Sequence, residues 1–160
     1  MDPTRERLNI MREELDKQVA KLREEVSSSK ANSEVSIDQI SLDTEMQRQP
    51  SYMYYYSSKL ASMVALKEAY KVYVDFLKAV VDEEVRIQLS SNPNDKVTED
   101  KVKAAVIRNG QVLDAKLELV RLERDVDLLK SIVDSFIHKK DMLISLASNM
   151  RSRLQSEINI

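Results

Sequence analysis

The sequence predicts an all-α fold, a long antiparallel helical hairpin with additional N-terminal helices that self-associates. Three observations carry this reading. The 160 residues include one Gly and three Pro, whereas ordinary usage is about 7% Gly. β-Hairpins and dinucleotide-binding crossovers need Gly at positive φ, so sheet-rich folds and phosphate-cradling loops are effectively excluded. Apolar residues recur at three- and four-residue spacing along stretches without Gly or Pro, the period of a helix face. Finally, 42% apolar and 32% charged residues suit helices with one buried and one solvated side.

Composition also narrows the chemistry. With no Cys, disulfides, thiolate metal sites and Cys nucleophiles drop out. The single His, His138, leaves no His-rich zinc site and little room for a Ser-His-Asp triad. The carboxylates Glu83-Glu84, Glu99-Asp100, Asp125 and Asp127 have no His companion, and the Glu-x-x-His pattern of four-helix di-metal sites is absent. Neither enzymatic activity nor a cofactor or metal is expected. Arg5 and Arg7 precede no apolar segment, and no run of 18 apolar residues occurs. Neither a signal peptide nor a membrane span is expected, and the cytoplasm is the expected compartment. A net charge of −2 argues against a dedicated nucleic-acid binder by bulk charge, but leaves local patches open.

Residues 1–30 read as an amphipathic heptad helix. Asp2-Pro3-Thr4 starts it, with Pro tolerated in the first turn. Leu8, Leu15 and Leu22 recur every seven residues, and Val19 and Val26 take the companion position. Leu8, Leu15, Val19 and Leu22 are the candidate oligomerisation residues. The same stripe suits a helix packed on its own domain, on a neighbouring protomer, or on a partner as a free zipper. The small polar run Ser27-Ser28-Ser29-Lys30-Ala31-Asn32-Ser33 favours turns over helix interiors. Residues 31–36 therefore read as a flexible joint before a core domain, residues 37–160.

The core reads as three helices. The first starts near Ser36-Ile37 with Ile37, Ile40, Leu42 and Met46, and Pro50 should kink or interrupt it at Gln49. From Ser51 to Leu89 the pattern continues through Tyr52, Tyr56, Leu60, Met63, Leu66, Tyr70, Tyr73, Leu77, Val81 and Val85. At 1.5 Å per residue this stretch is roughly 58 Å long. After Ser90-Ser91, Asn92-Pro93-Asn94-Asp95 forms the hairpin loop. Thr98 caps the next helix, with Glu99 and Asp100 in its first turn. Asn109-Gly110 marks a C-cap or a sharp bend. A last helix from Val112 to Ser156 carries Leu113, Leu117, Val120, Val126, Leu129, Ile132, Val133, Phe136, Met142, Leu143, Leu146, Met150 and Leu154. These stripes are wider than one partner helix covers, which predicts self-association.

The candidate binding residues are cations and tyrosines. Lys59, Lys67, Lys71 and Lys78 form a stripe opposed by Glu68 and Asp75. Lys139, Lys140, Arg151 and Arg153 face two acidic residues, Asp134 and Asp141, within residues 131–156. Either set reads as a solvated helix face or as a phosphate contact repeated in every protomer. All six Tyr lie between Tyr52 and Tyr73. They read as packing residues or as base-stacking ones, and three in a row cannot all face one core, so at least one of Tyr54 to Tyr56 should be exposed; Tyr54 and Tyr55 are the candidate base-stacking residues.

The order of these features resembles the UvsY-like phage recombination mediators. The shared pattern is Ile37-Asp38 opening a helix, then Gln49-Pro50-Ser51-Tyr52 leading a Tyr-rich helix to Lys59-Leu60. Val85-Arg86-Ile87 closes that helix, Lys96 to Glu99 forms a cap, and a last helix ends in Met150-Arg151-Ser152-Arg153-Leu154. The match spans roughly residues 35–155. The resemblance implies a ring-like homo-oligomer that binds single-stranded DNA, displaces a single-strand-binding protein and helps load a RecA-like recombinase in the host cytoplasm. It implies DNA contacts at Lys78 and Arg86. Here Asp82-Glu83-Glu84 stands where the family is basic, which shifts the expected contact toward Lys139, Lys140, Arg151 and Arg153. The alternative from the residues alone is a structural coiled-coil adaptor that binds no nucleic acid.

Overall fold

Short polar side chains set where the helices begin. Asp38 accepts the Ile40 N–H at 2.9 Å and the Ser41 hydroxyl at 2.8 Å. The Ile40 bond, then the Ser41 one, hold its carboxyl below the usual range. The Thr98 hydroxyl accepts the Lys101 N–H at 3.4 Å, and Asn109 Oδ1 accepts the N–H groups of Gln111 and Val112 at 3.0 and 3.2 Å. Each supplies an acceptor to N–H groups that lack an intrahelical partner.

The computed structural model describes residues 3–27, 30–91 and 97–158. Among them all regular structure is helical: α1 (Pro3–Ser27), α2 (Ala31–Val35), a 3₁₀ turn (Gln39–Ser41), α3 (Leu42–Ser90), α4 (Glu99–Arg108) and α5 (Gly110–Ile158). The readings at Asp2, at Ser28 and Ser29, and at the Asn92-Pro93-Asn94-Asp95 loop with Lys96 lie outside the described residues.

Two compact units divide the chain, and they cut the long helices. One comprises Met1–Arg23 and Met63–Asp125, the other Glu24–Ser62 and Val126–Ile160. The first unit packs α1, α3, α4 and α5. Its core is Leu8, Leu15, Val19 and Leu22 of α1, Met63, Tyr70, Tyr73, Val74, Leu77 and Val81 of α3, Val102 of α4, and Val112, Ala115 and Leu122 of α5. Ion pairs fix the directions. Arg5 binds Glu84 while Tyr70 donates to Asp16, so α1 runs antiparallel to α3. Arg5 also reaches Gln111, and Arg23 reaches Glu118 and Asp125, so α1 runs parallel to α5. The α3–α5 hairpin is therefore antiparallel here, with α1 as a third helix.

In the second unit α3 contributes Leu42, Gln49 and Tyr56, and α5 contributes Leu129, Phe136, Lys139 and Leu143. Tyr56 stacks on Phe136 with centroids 4.9 Å apart, and its hydroxyl donates to Glu34 of α2 at 2.8 Å. Gln49 Nε2 donates to the Phe136 carbonyl at 2.5 Å.

Several expectations are corrected. The candidate oligomerisation residues Leu8, Leu15, Val19 and Leu22 are buried inside the chain's own first unit. α1 covers the surplus stripe of the hairpin, so this seam is not free for a second copy. Pro50 does not interrupt α3. One missing N–H costs a helix about 3 kcal/mol, and the buried aromatic cluster around Tyr56 outweighs it. Ala31–Val35, inside the stretch read as a joint, forms a short helix. The Ser36-Ile37 start fails: α3 begins at Leu42, and Ile40 is 97% exposed. Gly110 shows no positive φ and opens α5, with the break set by the Asn109 side chain. The α5 core is a heptad series of Ala115, Leu122, Leu129, Phe136 and Leu143, while Leu113, Leu117, Val120, Met142, Met150 and Leu154 are exposed.

Candidate nucleic-acid interface

The α3 helix of the second unit carries aromatic and basic groups on one flank. Arg48 and Tyr55 are seven residues apart and share a face, and Lys59 follows Tyr55 by one turn. Burial of Tyr56 fixes the rotation of α3, which turns Tyr54 and Tyr55 outward, with Tyr54 79% exposed. The Lys59 ammonium lies 5.2 Å from the Tyr55 ring centroid, a cation–π distance. Lys59 also donates to Glu25 at 2.5 Å, which raises its pKa, with burial acting against it.

The remaining sequence-predicted cations fall into three groups. Lys67 pairs with Glu68 at 3.1 Å, and Lys78 pairs with Asp75 at 2.8 Å. The Lys78 hydrogen bond holds the Asp75 carboxyl below its usual range. Arg86 is held by two carboxylates, Asp82 at 2.6 Å and Glu99 at 2.8 Å. Its bond to Glu99, then that to Asp82, push its pKa further up. Lys71, Lys140, Arg151 and Arg153 are exposed. Lys140 lies 4.0 Å from Asp141, and Arg151 Nε donates to the Ala147 carbonyl at 3.4 Å. Among the described residues, Arg48, Arg151 and Arg153 have no carboxylate within ion-pair distance, while Lys71 acts on Asp75 without pairing to it.

Lys139 stands apart. Its side chain is 1% exposed, and Nζ donates to Glu45 Oε2 and to the Glu34 carbonyl, each at 2.5 Å, 5.8 Å from the Tyr52 ring. It joins α5 to α2 and α3 and cannot reach a phosphate, which corrects its place in the expected patch.

Exposed ion pairs are each worth about 0–1 kcal/mol. Lys78 can therefore exchange its carboxylate for a phosphate at small cost, whereas Lys59 and Lys67 are half-buried in their pairs and less free to do so. Arg86 must release two carboxylates and is the poorer candidate. Sequence reading missed Arg48, although its seven-residue spacing to Tyr55 was visible. It also missed a cleft of about 370 Å³ in the first unit, where Arg12, Arg23 and Arg121 meet Asp16, Asp114 and Glu118 over Tyr70. Charges balance there, so it offers no net attraction to an anion. Desolvation, then Asp16, push the Tyr70 phenol above its ordinary range.

Among the described residues no cluster of three or more His, Asp or Glu could hold a metal ion, and no helix is long and apolar enough to cross a membrane. Compared with protein-family models, curated proteins and solved structures, the chain matches none.

Proposed function

We propose that this chain is a non-enzymatic, oligomeric single-stranded-DNA-binding protein that acts as a recombination mediator, exchanging a single-strand-binding protein for a RecA-like recombinase. The observation that carries the reading is one flank of α3, with Arg48 and Tyr55 exposed and Lys59 half-buried beside the Tyr55 ring, and with Tyr54 exposed on the adjoining face. Planar rings accept bases and adjacent cations accept phosphates, the combination that holds single strands without sequence preference. Lys71, Lys140, Arg151 and Arg153 supply further charge, and repetition across protomers multiplies a weak contact. The order of sequence motifs shared with the UvsY-like mediators supports the recombination role.

A second reading, a structural adaptor with no nucleic-acid affinity, is favoured by the pairing of Lys59, Lys67, Lys78 and Arg86 with carboxylates. Fluorescence anisotropy with a labelled single-stranded oligonucleotide separates the two. If about four phosphates are neutralised, affinity drops roughly 50-fold between about 50 and 200 mM salt. Tyr54→Ala removes one stacking partner, which is worth about 1–3 kcal/mol per base. No binding at the lower salt by the folded protein would leave the adaptor reading standing.

A further inference from the structure

A cavity of about 240 Å³ opens in the second unit between α3 and α5. Its walls are largely apolar: Pro50 and Met53 come from α3, Leu143 and Ile144 from α5. It takes no residue from the Arg48, Tyr55 and Lys59 flank.

One wall carries an acceptor that the fold leaves without a donor. Gln49 lines the cavity and is only 4% exposed. Its Nε2 donates to the Phe136 carbonyl at 2.5 Å. Its Oε1 is buried and has no hydrogen-bond partner among the described residues. The two ends of an amide diverge, so with Nε2 turned to Phe136 the oxygen is the end left for the cavity. Buried side-chain oxygens are nearly always paired, so this one marks a place where a donor belongs. The same wall holds a second group of that kind. In an α-helix the Met46 carbonyl accepts the N–H of residue 50. Residue 50 is Pro and has no N–H to give. Met46 also lines the cavity, so the polar character of the α3 wall is that of an acceptor.

The α5 side adds a cation. Lys140 lines the cavity with a side chain 56% exposed, which places its ammonium at the mouth. Its carboxylate neighbour Asp141 is 4.0 Å away, so the pair is loose and open to exchange.

We propose that this cavity binds a small free aromatic acid with a ring N–H, of the indole-carboxylate class. Each part of the ligand answers one part of the wall. The N–H donates to Gln49 Oε1, the ring lies among Pro50, Leu143 and the thioethers of Met46 and Met53, and the carboxylate meets Lys140 at the mouth. Thioethers favour contact with aromatic rings. The volume is that of about eight waters, which suits one fused ring system with a short side chain. A fatty acid has the apolar body and the anion but no donor. A sugar has donors but no apolar body. An amine would meet Lys140 as a like charge. The inference is independent of the proposed function, and its test contains no nucleic acid.

The test is a titration of indole-3-acetate with the full chain, read by fluorescence anisotropy. The chain has no Trp, so indole emission is read without a protein background. Saturable binding is expected with a Kd of about 0.1–1 mM, a range suited to so small a ligand. 1-Methylindole-3-acetate lacks the N–H and is expected to bind roughly tenfold more weakly. 3-Methylindole lacks the carboxylate and is expected to bind up to about fivefold more weakly, with no salt dependence. Gln49→Met keeps the length of the side chain and removes the acceptor. It is expected to bind indole-3-acetate roughly tenfold more weakly and to lose the preference over the N-methylated analogue. Lys140→Met, at an exposed position, is expected to remove the salt dependence. Circular dichroism melts check that both variants fold. No saturable binding of indole-3-acetate, equal affinity for its N-methylated analogue, an unchanged affinity in Gln49→Met, or a salt dependence that survives Lys140→Met overturns the proposal.

Discussion

Lys139 Nζ lies 2.5 Å from the Glu45 carboxylate, in a place where the Lys side chain is 1% exposed. The sequence groups Lys139 with Lys140 as neighbouring surface cations. The fold gives them opposite roles, because one helical step of 100° separates the face packed on α2 and α3 from the face in solvent.

Lys139→Met is expected to lower stability by about 3 kcal/mol, since removing one member of a buried pair leaves the other unpaired. For a chain of this size that is a drop of roughly 6–12 °C in melting temperature. Lys140→Met is expected to stay within about 0.5 kcal/mol, as an exposed change does. Equal shifts for the two variants in thermal melts would contradict the buried position of Lys139.

The heptad residues of α1 should behave as core. Leu15→Ala is expected to cost about 2–5 kcal/mol whatever the protein concentration, because its neighbours belong to the same chain. Leu117→Ala, on the solvent side of α5, is expected to cost well under about 1 kcal/mol. Urea unfolding at several concentrations checks both. A Leu15→Ala penalty that vanished on dilution would return this residue to an interface between chains.

Two backbone positions make opposite predictions. Gly110 has no positive φ, and an added Cβ there meets nothing within 4 Å, so Gly110→Ala is expected to stabilise by about 0.4–1 kcal/mol. Asn109→Ala removes the acceptor for two N–H groups and is expected to cost about 1 kcal/mol. Denaturant midpoints measure both, and a destabilised Gly110→Ala would show that the glycine carries the bend after all.

Tyr70 sets an alkaline limit. Burial, then Asp16, raise its folded-state pKa, while the unfolded phenol titrates near about 10. A raised value means a contribution that is complete below about pH 10 and lost as pH rises toward the folded value. The wild-type chain should therefore lose stability faster than Tyr70→Phe above about pH 10. Parallel curves for the two proteins would remove Tyr70 from that limb.

Asp38 behaves in the opposite sense. Its carboxyl is held low by the Ile40 N–H and the Ser41 hydroxyl. Its contribution is present above the unfolded value near about 4 and is lost as pH falls through the folded one. Asp38→Asn should flatten the acid limb of the melting temperature against pH, and an unchanged limb would rule out that contribution.

The sequence alone determined the all-helical class, the Thr98 cap, the break at Asn109-Gly110 and the place of Tyr56, Met63, Tyr70, Tyr73 and Leu77 in the core of α3. These depend on local causes: near-absence of Gly, capping side chains and the helical period. The α5 core was harder to read, because that helix carries apolar residues on two sides. Leu113, Leu117 and Val120 repeat as regularly as Ala115 and Leu122, and periodicity cannot say which row meets a neighbour. Tertiary structure decided that choice by placing α1 and α3 against one row. It also decided that the α1 heptads close the chain's own core, that Pro50 stays inside a helix, and that Lys139 is buried while Arg48 and Tyr54 face solvent. The physical reason is common to all four. Burial is a property of two surfaces brought together, and a sequence displays one surface at a time.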